Sequence, residues 1–349
     1  MKLASYKDGS RDGQLVVVSR DLRTAHYASG IAHRLQQVLD DWYFYAPQLQ
    51  DLYDALNADR ARHSFDFNPA QCMAPLPRAY QWLCGAAYLS HVALLRQAPG
   101  EDLPAALKTD PLVHQGAGDA FIGPCDDIVV ASEAMGIDFS AELAVITGDV
   151  KQDSSPEDAL DSVRLLMLAN PVSLRQLQAA EQDKGAGLVQ SKPVTAFSPV
   201  AITPDELGDA WRGGKVHLAL QTSWNGRKVG MCDAGPEMGF HFGQLIAHAA
   251  KTRHLRAGTV LGSGTVSNSG AEKHGRMDWP KGYGCIAEKR SMEVLQKSKT
   301  TTGFMQFGDT VRIEMKGKDG HSLFGAIDQS VASLYQTQAD AVAEPEAAA

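Results

Sequence analysis

The feature that most constrains the fold is a change of texture at Pro75-Leu76-Pro77-Arg78. Each proline forces the residue before it out of helix, so no helix crosses this point. Beyond about residue 80 the chain alternates short β-rich runs with glycine turns. Val145-Ile146, 216–220, 258–262 and 311–315 all read as strands, and 245–251 reads as a short amphipathic helix. Before the prolines, Asp12-Gly13 is a turn signal that feeds the β-rich run Leu15–Val18. Ile31, Leu35, Val38, Leu39 and Trp42, then Leu49, Leu52 and Leu56, recur at helical spacing. The aromatic run Trp42–Tyr45 fits burial in the core or in a dimer contact better than a binding surface. The tail from about Gln336 is built of Ala, Glu and Gln with few core residues, which predicts disorder over 336–349. The chain thus reads as α+β, mostly β: a small domain over 1–78, a larger one over 79–335, and a tail.

Bulk composition removes several classes of function. The 349 residues are 44% hydrophobic and 21% charged, with a formal net charge of −8. That suffices for a large core and gives no basic stripe for nucleic acid. No apolar run approaches the roughly 20 residues needed to cross a bilayer, and the N-terminus has no apolar signal region. Five cysteines, at 72, 84, 125, 232 and 285, are widely spaced and odd in number, against both a disulfide framework and a thiolate zinc site. A reduced, cytoplasmic protein is the expectation. Metalloprotease, phosphate-loop and nucleophile-elbow signatures do not occur.

Two stretches carry the chemistry. Residues 136–150 read Gly-Ile-Asp-Phe-Ser-Ala-Glu-Leu-Ala-Val-Ile-Thr-Gly-Asp-Val, and residues 168–178 read Leu-Ala-Asn-Pro-Val-Ser-Leu-Arg-Gln-Leu-Gln. On a strand, Asp138, Ser140 and Glu142 share one face, with Phe139, Ala141 and Leu143 on the other. Both stretches resemble the core motifs of the fumarylacetoacetate hydrolase family, and the resemblance runs from about Pro75 to Val331. It implies a small β-rich N-terminal domain, a C-terminal rolled mixed β-sandwich and a homodimer. It also implies a divalent cation held by an acidic Glu-x-Glu pair and by an Asp after the Asn. Here Ser140 replaces the first Glu and Pro171 replaces the Asp. A serine hydroxyl is a weak neutral ligand, and proline offers no side-chain oxygen at all. Of the implied ligands, Glu142 remains, together with Asp119 in Gly116-Ala117-Gly118-Asp119. The expected cofactor is therefore none, or weakly bound Mg²⁺ or Ca²⁺, with Asp138 as one potential substitute ligand.

The rest of the family pocket is kept. By resemblance, Lys192 is the active-site lysine, Arg175 and Gln178 contact substrate oxygens, and Gly264 and Thr265 bring backbone and hydroxyl to the substrate. Glu288 stands where a Glu supports the water-activating base. The family's catalytic His falls at Asp126, seven residues after Asp119, so the base itself is missing, and His114 cannot be assigned to that role. Each residue also has a plain reading: Glu142 in a turn network, Lys192 on the surface, Arg175 in a salt bridge, Thr265 in a turn, Glu288 in solvent. The segment Gly270–Gly282 reads either as a lid or as a surface excursion.

The functional expectation is an enzyme acting on an oxo-acid, a 1,3-dicarbonyl or another enolisable small molecule. It stabilises an oxyanion or enolate through metal-free cyclisation, condensation, dehydration or slow hydrolysis. The alternatives are a Mg²⁺-dependent C–C bond hydrolase of acylpyruvate or fumarylacetoacetate type, and a non-catalytic metabolite-binding relative.

Overall fold

The structure is a computed structural model that describes residues 1–98, 100–119, 121–185 and 187–343. Its backbone is an eleven-stranded mixed sheet. Ten strands follow one path: Phe65–Asp66, Thr24–Tyr27, Gln14–Val18, Lys2–Tyr6, Ala201–Ile202, Val163–Pro171, Glu142–Thr147, Val260–Gly262, Trp82–Gly85 and Val113–Gly116. The eleventh, Thr195–Phe197, also pairs with Val163–Pro171. The N-terminal strands extend the same sheet as the larger domain, joined where Lys2 pairs with Ile202 and Leu3 with Ala201. A second sheet of five strands runs Arg227–Asp233, Ala219–Trp224, Thr310–Lys316, Ser322–Ser333 and Ile128–Val130.

The central strands are apolar on both faces, because both faces are covered. Leu15, Val17, Ala144, Ile146, Leu165 and Met167 share one core with Leu49, Tyr53 and Leu56 of the helix Trp42–Asn57. Their neighbours in sequence, Val16, Val18, Leu143, Val145, Leu166 and Leu168, share the other core with Val311, Ile313, Phe324 and Ile327 of the second sheet. This period of two sets the register of the sheet.

One expectation is corrected. Residues 334–343 form a helix, Leu334–Ala343, where disorder was predicted from 336. Ala, Leu and Gln are strong helix formers, and the segment lies against the strand Ile128–Val130. Residues 344–349 lie outside the described residues. In the aromatic run Trp42 and Tyr45 pack against the core, while Tyr43 is 80% exposed and Phe44 59%. No helix among the described residues is long and apolar enough to cross a membrane.

Candidate active site

The strand Glu142–Thr147 lies at the centre of the large sheet, and the residues leading into it alternate as the sequence predicts. Phe139, Ala141 and Leu143 enter the core. Ser140 and Glu142 line a cavity of about 620 Å³ together with Cys84, His91, His114, Arg175, Gln178, Lys192, Gly264 and Thr265. Val92, Leu95, Leu112 and Leu188 add apolar wall to it. Its size is that of a small-molecule site.

On one side stand two cations. Arg175 begins the helix Arg175–Asp183. Its Nε donates to Asp138 Oδ2 at 2.8 Å and its Nη1 to Gln178 Oε1 at 3.0 Å. Lys192 Nζ donates to Ser173 Oγ at 2.7 Å. Burial, with the Arg175 charge beside it, pulls Lys192 below the ordinary lysine range. Burial and the Lys192 charge lower His114 to about 4, so its imidazole is neutral at any ordinary pH.

The floor is a chain of hydrogen bonds. Ser140 Oγ donates to Glu142 Oε1 at 2.8 Å and meets Thr265 Oγ1 at 2.6 Å. Cys84 Sγ donates to Glu142 Oε2 at 3.1 Å. Burial raises Glu142 above the usual carboxylate range. Asn170 Oδ1 accepts from the Ser140 amide at 2.9 Å, which fixes the backbone at this turn. Thr265 follows Gly264, whose φ is +76° and where an added Cβ would stand 2.2 Å from the Gly85 carbonyl oxygen. Only glycine allows that approach.

The other side holds a residue that the sequence reading missed. His91, on the helix Leu89–Gln97, places Nδ1 2.9 Å from Glu288 Oε1. Glu288 is fully buried at the start of the helix Ile286–Lys297, and its Oε2 accepts from the Gly284 amide at 2.8 Å. The solvated reading of Glu288 is thus replaced by a buried carboxylate orienting an imidazole. The two residues are 197 apart in sequence. Nothing local marks His91 except its place in an otherwise apolar helical turn.

Other expected positions separate. Asp119 is exposed and lines a different cleft, with Arg78 and Tyr80, so the structure does not bring it to Glu142. The strand Val113–Gly116 leaves the cavity at His114 and carries the chain past Trp82 to that cleft. Asp126 bonds Lys7 Nζ at 2.7 Å and the Gly123 amide at 2.7 Å, away from the cavity. The segment 270–282 forms an exposed hairpin, Ala271–Lys273 with Arg276–Asp278, and does not line the cavity.

The residues present do not fit a hard divalent cation. Such an ion needs about six oxygen ligands, mostly charged. Glu142 is occupied by Ser140 and Cys84, and Pro171 has no oxygen to give. Asp138 cannot substitute: beyond Arg175 it accepts from the amides of Ile286 at 2.7 Å and Ala287 at 3.1 Å. Among the described residues a single metal-like cluster occurs, His91, Cys285 and Glu288, within 4.8 Å of one another. Two of its members already bond each other, and Cys285 Sγ lies 3.8 Å from Arg175 Nη2, a cation that would repel a metal.

Comparison with known proteins agrees with this fold. Residues 81–332 match the description "Fumarylacetoacetate (FAA) hydrolase C-terminal", and residues 1–78 match "Fumarylacetoacetase N-terminal domain 2". The chain belongs to the fumarylacetoacetate hydrolase family. A mitochondrial oxaloacetate tautomerase of Xenopus laevis is 26% identical over 64% of this chain and 65% of its own length. A 2,4-didehydro-3-deoxy-L-rhamnonate hydrolase of a Sphingomonas species is 28% identical over 48% of this chain and 56% of its own. The chain thus spans less than two thirds of either curated relative. The fumarylacetoacetate hydrolase structure from Exiguobacterium antarcticum superposes with a TM-score of 0.62 at 18% identity, covering 95% of this chain and 99% of that one. That likeness supports the fold.

Proposed function

We propose that this protein catalyses proton transfer or C–C bond chemistry on a 1,3-dicarbonyl or other enolisable oxo-acid, through an enolate held by side chains rather than by a divalent ion. One observation carries the reading. A carboxylate-oriented imidazole, His91 with Glu288, and two cations, Lys192 and Arg175, line the same cavity. Glu288 accepts from His91 Nδ1 and so directs Nε2 as the base. His91 then removes a proton from the carbon beside the carbonyl, or from an attacking water. Negative charge develops on the carbonyl oxygen, where Lys192, Arg175 and Thr265 oppose it in a dry site. One relative is named an oxaloacetate tautomerase and another a hydrolase of a didehydro-deoxy sugar acid, which supports an oxo-acid as the class of substrate.

The test is turnover of oxaloacetate (enol–keto exchange) and acetylpyruvate (cleavage) by protein stripped with EDTA, alongside Mg²⁺ calorimetry. Activity unchanged by EDTA, with no stoichiometric Mg²⁺ binding, is the expected result. Activity that collapses with chelator and returns with Mg²⁺ would establish the metal-dependent hydrolase instead. No turnover of either compound would favour a binding protein. A homodimer belongs to the same reading, supported by the open faces of Tyr43 and Phe44. Sedimentation equilibrium of the intact chain decides it, with the monomer mass as the contrary result.

A further inference from the structure

Lys192, half-buried in the cavity wall, is placed unlike most lysines withdrawn from water. A lysine taken out of water normally finds a carboxylate. Among the described residues Lys192 makes no salt bridge, and its one hydrogen bond is to the hydroxyl of Ser173. It is the single lysine lining the cavity. Its charged neighbour there, Arg175, is held as a cation by Asp138 at 2.8 Å and opposes a second positive charge. A lysine amine becomes a nucleophile towards carbonyls when it is desolvated and stands beside another cation. The same cavity lacks the oxygen donors that would hold a divalent Lewis acid, since Ser140 and Pro171 occupy two of the positions. A carbonyl in it needs another electron sink.

We infer that Lys192 is a covalent catalyst: its amine attacks the ketone carbon of the bound oxo-acid and forms a protonated imine that draws electrons from the adjacent bond. This rests on the substrate class and the base of the proposed function, and gives Lys192 a covalent role in place of an electrostatic one. The steps balance without an external reagent. A base, His91 in this arrangement, takes one proton from the lysine ammonium, and the Nζ–C bond forms as the carbonyl π pair moves to oxygen. That oxygen takes a proton from nitrogen, and the hydroxyl then leaves as water with the proton returned by His91. The sum is ammonium plus ketone giving iminium plus water. In a 1,3-dicarbonyl, a water deprotonated by His91 then adds to the second carbonyl, the C–C bond next to the iminium breaks with its electron pair passing to the iminium, the carboxylic acid leaves, and an enamine results. Reprotonation at carbon and addition of water release the product and regenerate Lys192. Lowering of Lys192 by burial and by Arg175 enlarges the share of free amine.

The experiment uses the full chain in EDTA with acetylpyruvate, and separately with oxaloacetate, quenched by sodium cyanoborohydride, with the modified peptide mapped by mass spectrometry. Expected is one reduced adduct on Lys192, formed in step with loss of activity. Turnover with no adduct, or with adducts only on other lysines, overturns the imine while leaving the proposed function standing. Neither turnover nor adduct overturns both. Lys192→Arg is the companion variant, since it keeps a cation for an oxyanion but cannot form an imine. The covalent role predicts a loss of about 10³-fold or more in turnover with the melting temperature retained. A purely electrostatic role predicts a substantially active Arg variant, which would overturn the inference.

Discussion

At the scale of single residues, Ser140 and Pro171 stand where the family resemblance implies two acidic ligands, and the polar atoms around them satisfy one another. Glu142, with the neutral Ser140 in place of a paired carboxylate, closes onto a hydroxyl and a thiol. In the proposed function the base stands on the opposite wall, where Glu288 holds His91. Replacing Glu288 with Gln keeps the volume but removes the charge that orients and stabilises the imidazolium. Turnover of an enolisable oxo-acid is expected to fall by about 10²- to 10⁴-fold, the range for loss of positioned acid–base catalysis. His91→Gln should fall as far, and the double variant no further, because the two act as one unit. Additive losses in steady-state kinetics would separate the pair. The lysine, arginine, glutamine and threonine of the cavity were legible in the sequence because each sits in a contiguous motif. His91 was not, because its meaning is a contact with a carboxylate on a distant helix. Asp119 was misplaced for the converse reason: a short local match says nothing of where a strand carries its far end.

At the scale of elements, the site depends on two loop anchors and one close backbone crossing. Glu181, on the helix Arg175–Asp183, accepts from the amides of Val189 at 3.0 Å, Gln190 at 2.7 Å and Ser191 at 2.9 Å, and so sets the loop that delivers Lys192. Glu293 likewise accepts from the amides of Thr301 at 2.7 Å and Thr302 at 3.0 Å. The hydroxyls of Ser191 and Thr302 donate as well, and together with these amides they hold both carboxylates at about 2, against the burial that opposes ionisation. A carboxylate depressed in the folded state contributes stability above its unfolded value, near 4.3, and loses it as pH falls towards 2. Acid unfolding followed by circular dichroism should steepen over that window, and Glu181→Gln and Glu293→Gln should each flatten it. An unchanged slope would remove these anchors from the account. At the crossing, Gly264→Ala meets both a left-handed φ and the Gly85 carbonyl. A destabilisation of about 1–3 kcal/mol is expected in urea titration, with weakened substrate binding. These devices escape periodicity, since turns and loop anchors carry no repeating pattern, whereas the strands 142–147 and 310–316 announce themselves by theirs.

At the scale of the whole molecule, the first strand is fastened to one of the last. Lys2 is 1% exposed in the strand Lys2–Tyr6, and its Nζ donates to the Leu323 carbonyl at 2.6 Å, 321 residues away. The texture change at Pro75–Pro77 suggested separate domains, and the continuous sheet shows why sequence alone could not reveal their union. Strand pairing between residues 2 and 202 has no local signature. Burying this ammonium has a cost: desolvation, only partly offset by Glu206, lowers Lys2 from 10.5 to about 8. Between those values the unfolded chain binds a proton that the folded one lacks, so stability rises with pH across that window. Below it, both states are charged and the full cost remains. Lys2→Met removes the cost and also strips a donor from Leu323, a loss of about 1 kcal/mol. The net expectation at pH 7 is a gain of about 1–2 kcal/mol, because a shift of this size is worth roughly 3 kcal/mol at 1.36 kcal/mol per unit. The rise in stability between pH 8 and 10.5 should vanish with it. Urea titrations of both proteins at pH 7, 9 and 10 measure the two effects together. A variant that is less stable at pH 7 yet retains the alkaline rise would place the titration on another group and leave Lys2 as a net fastening of the two ends.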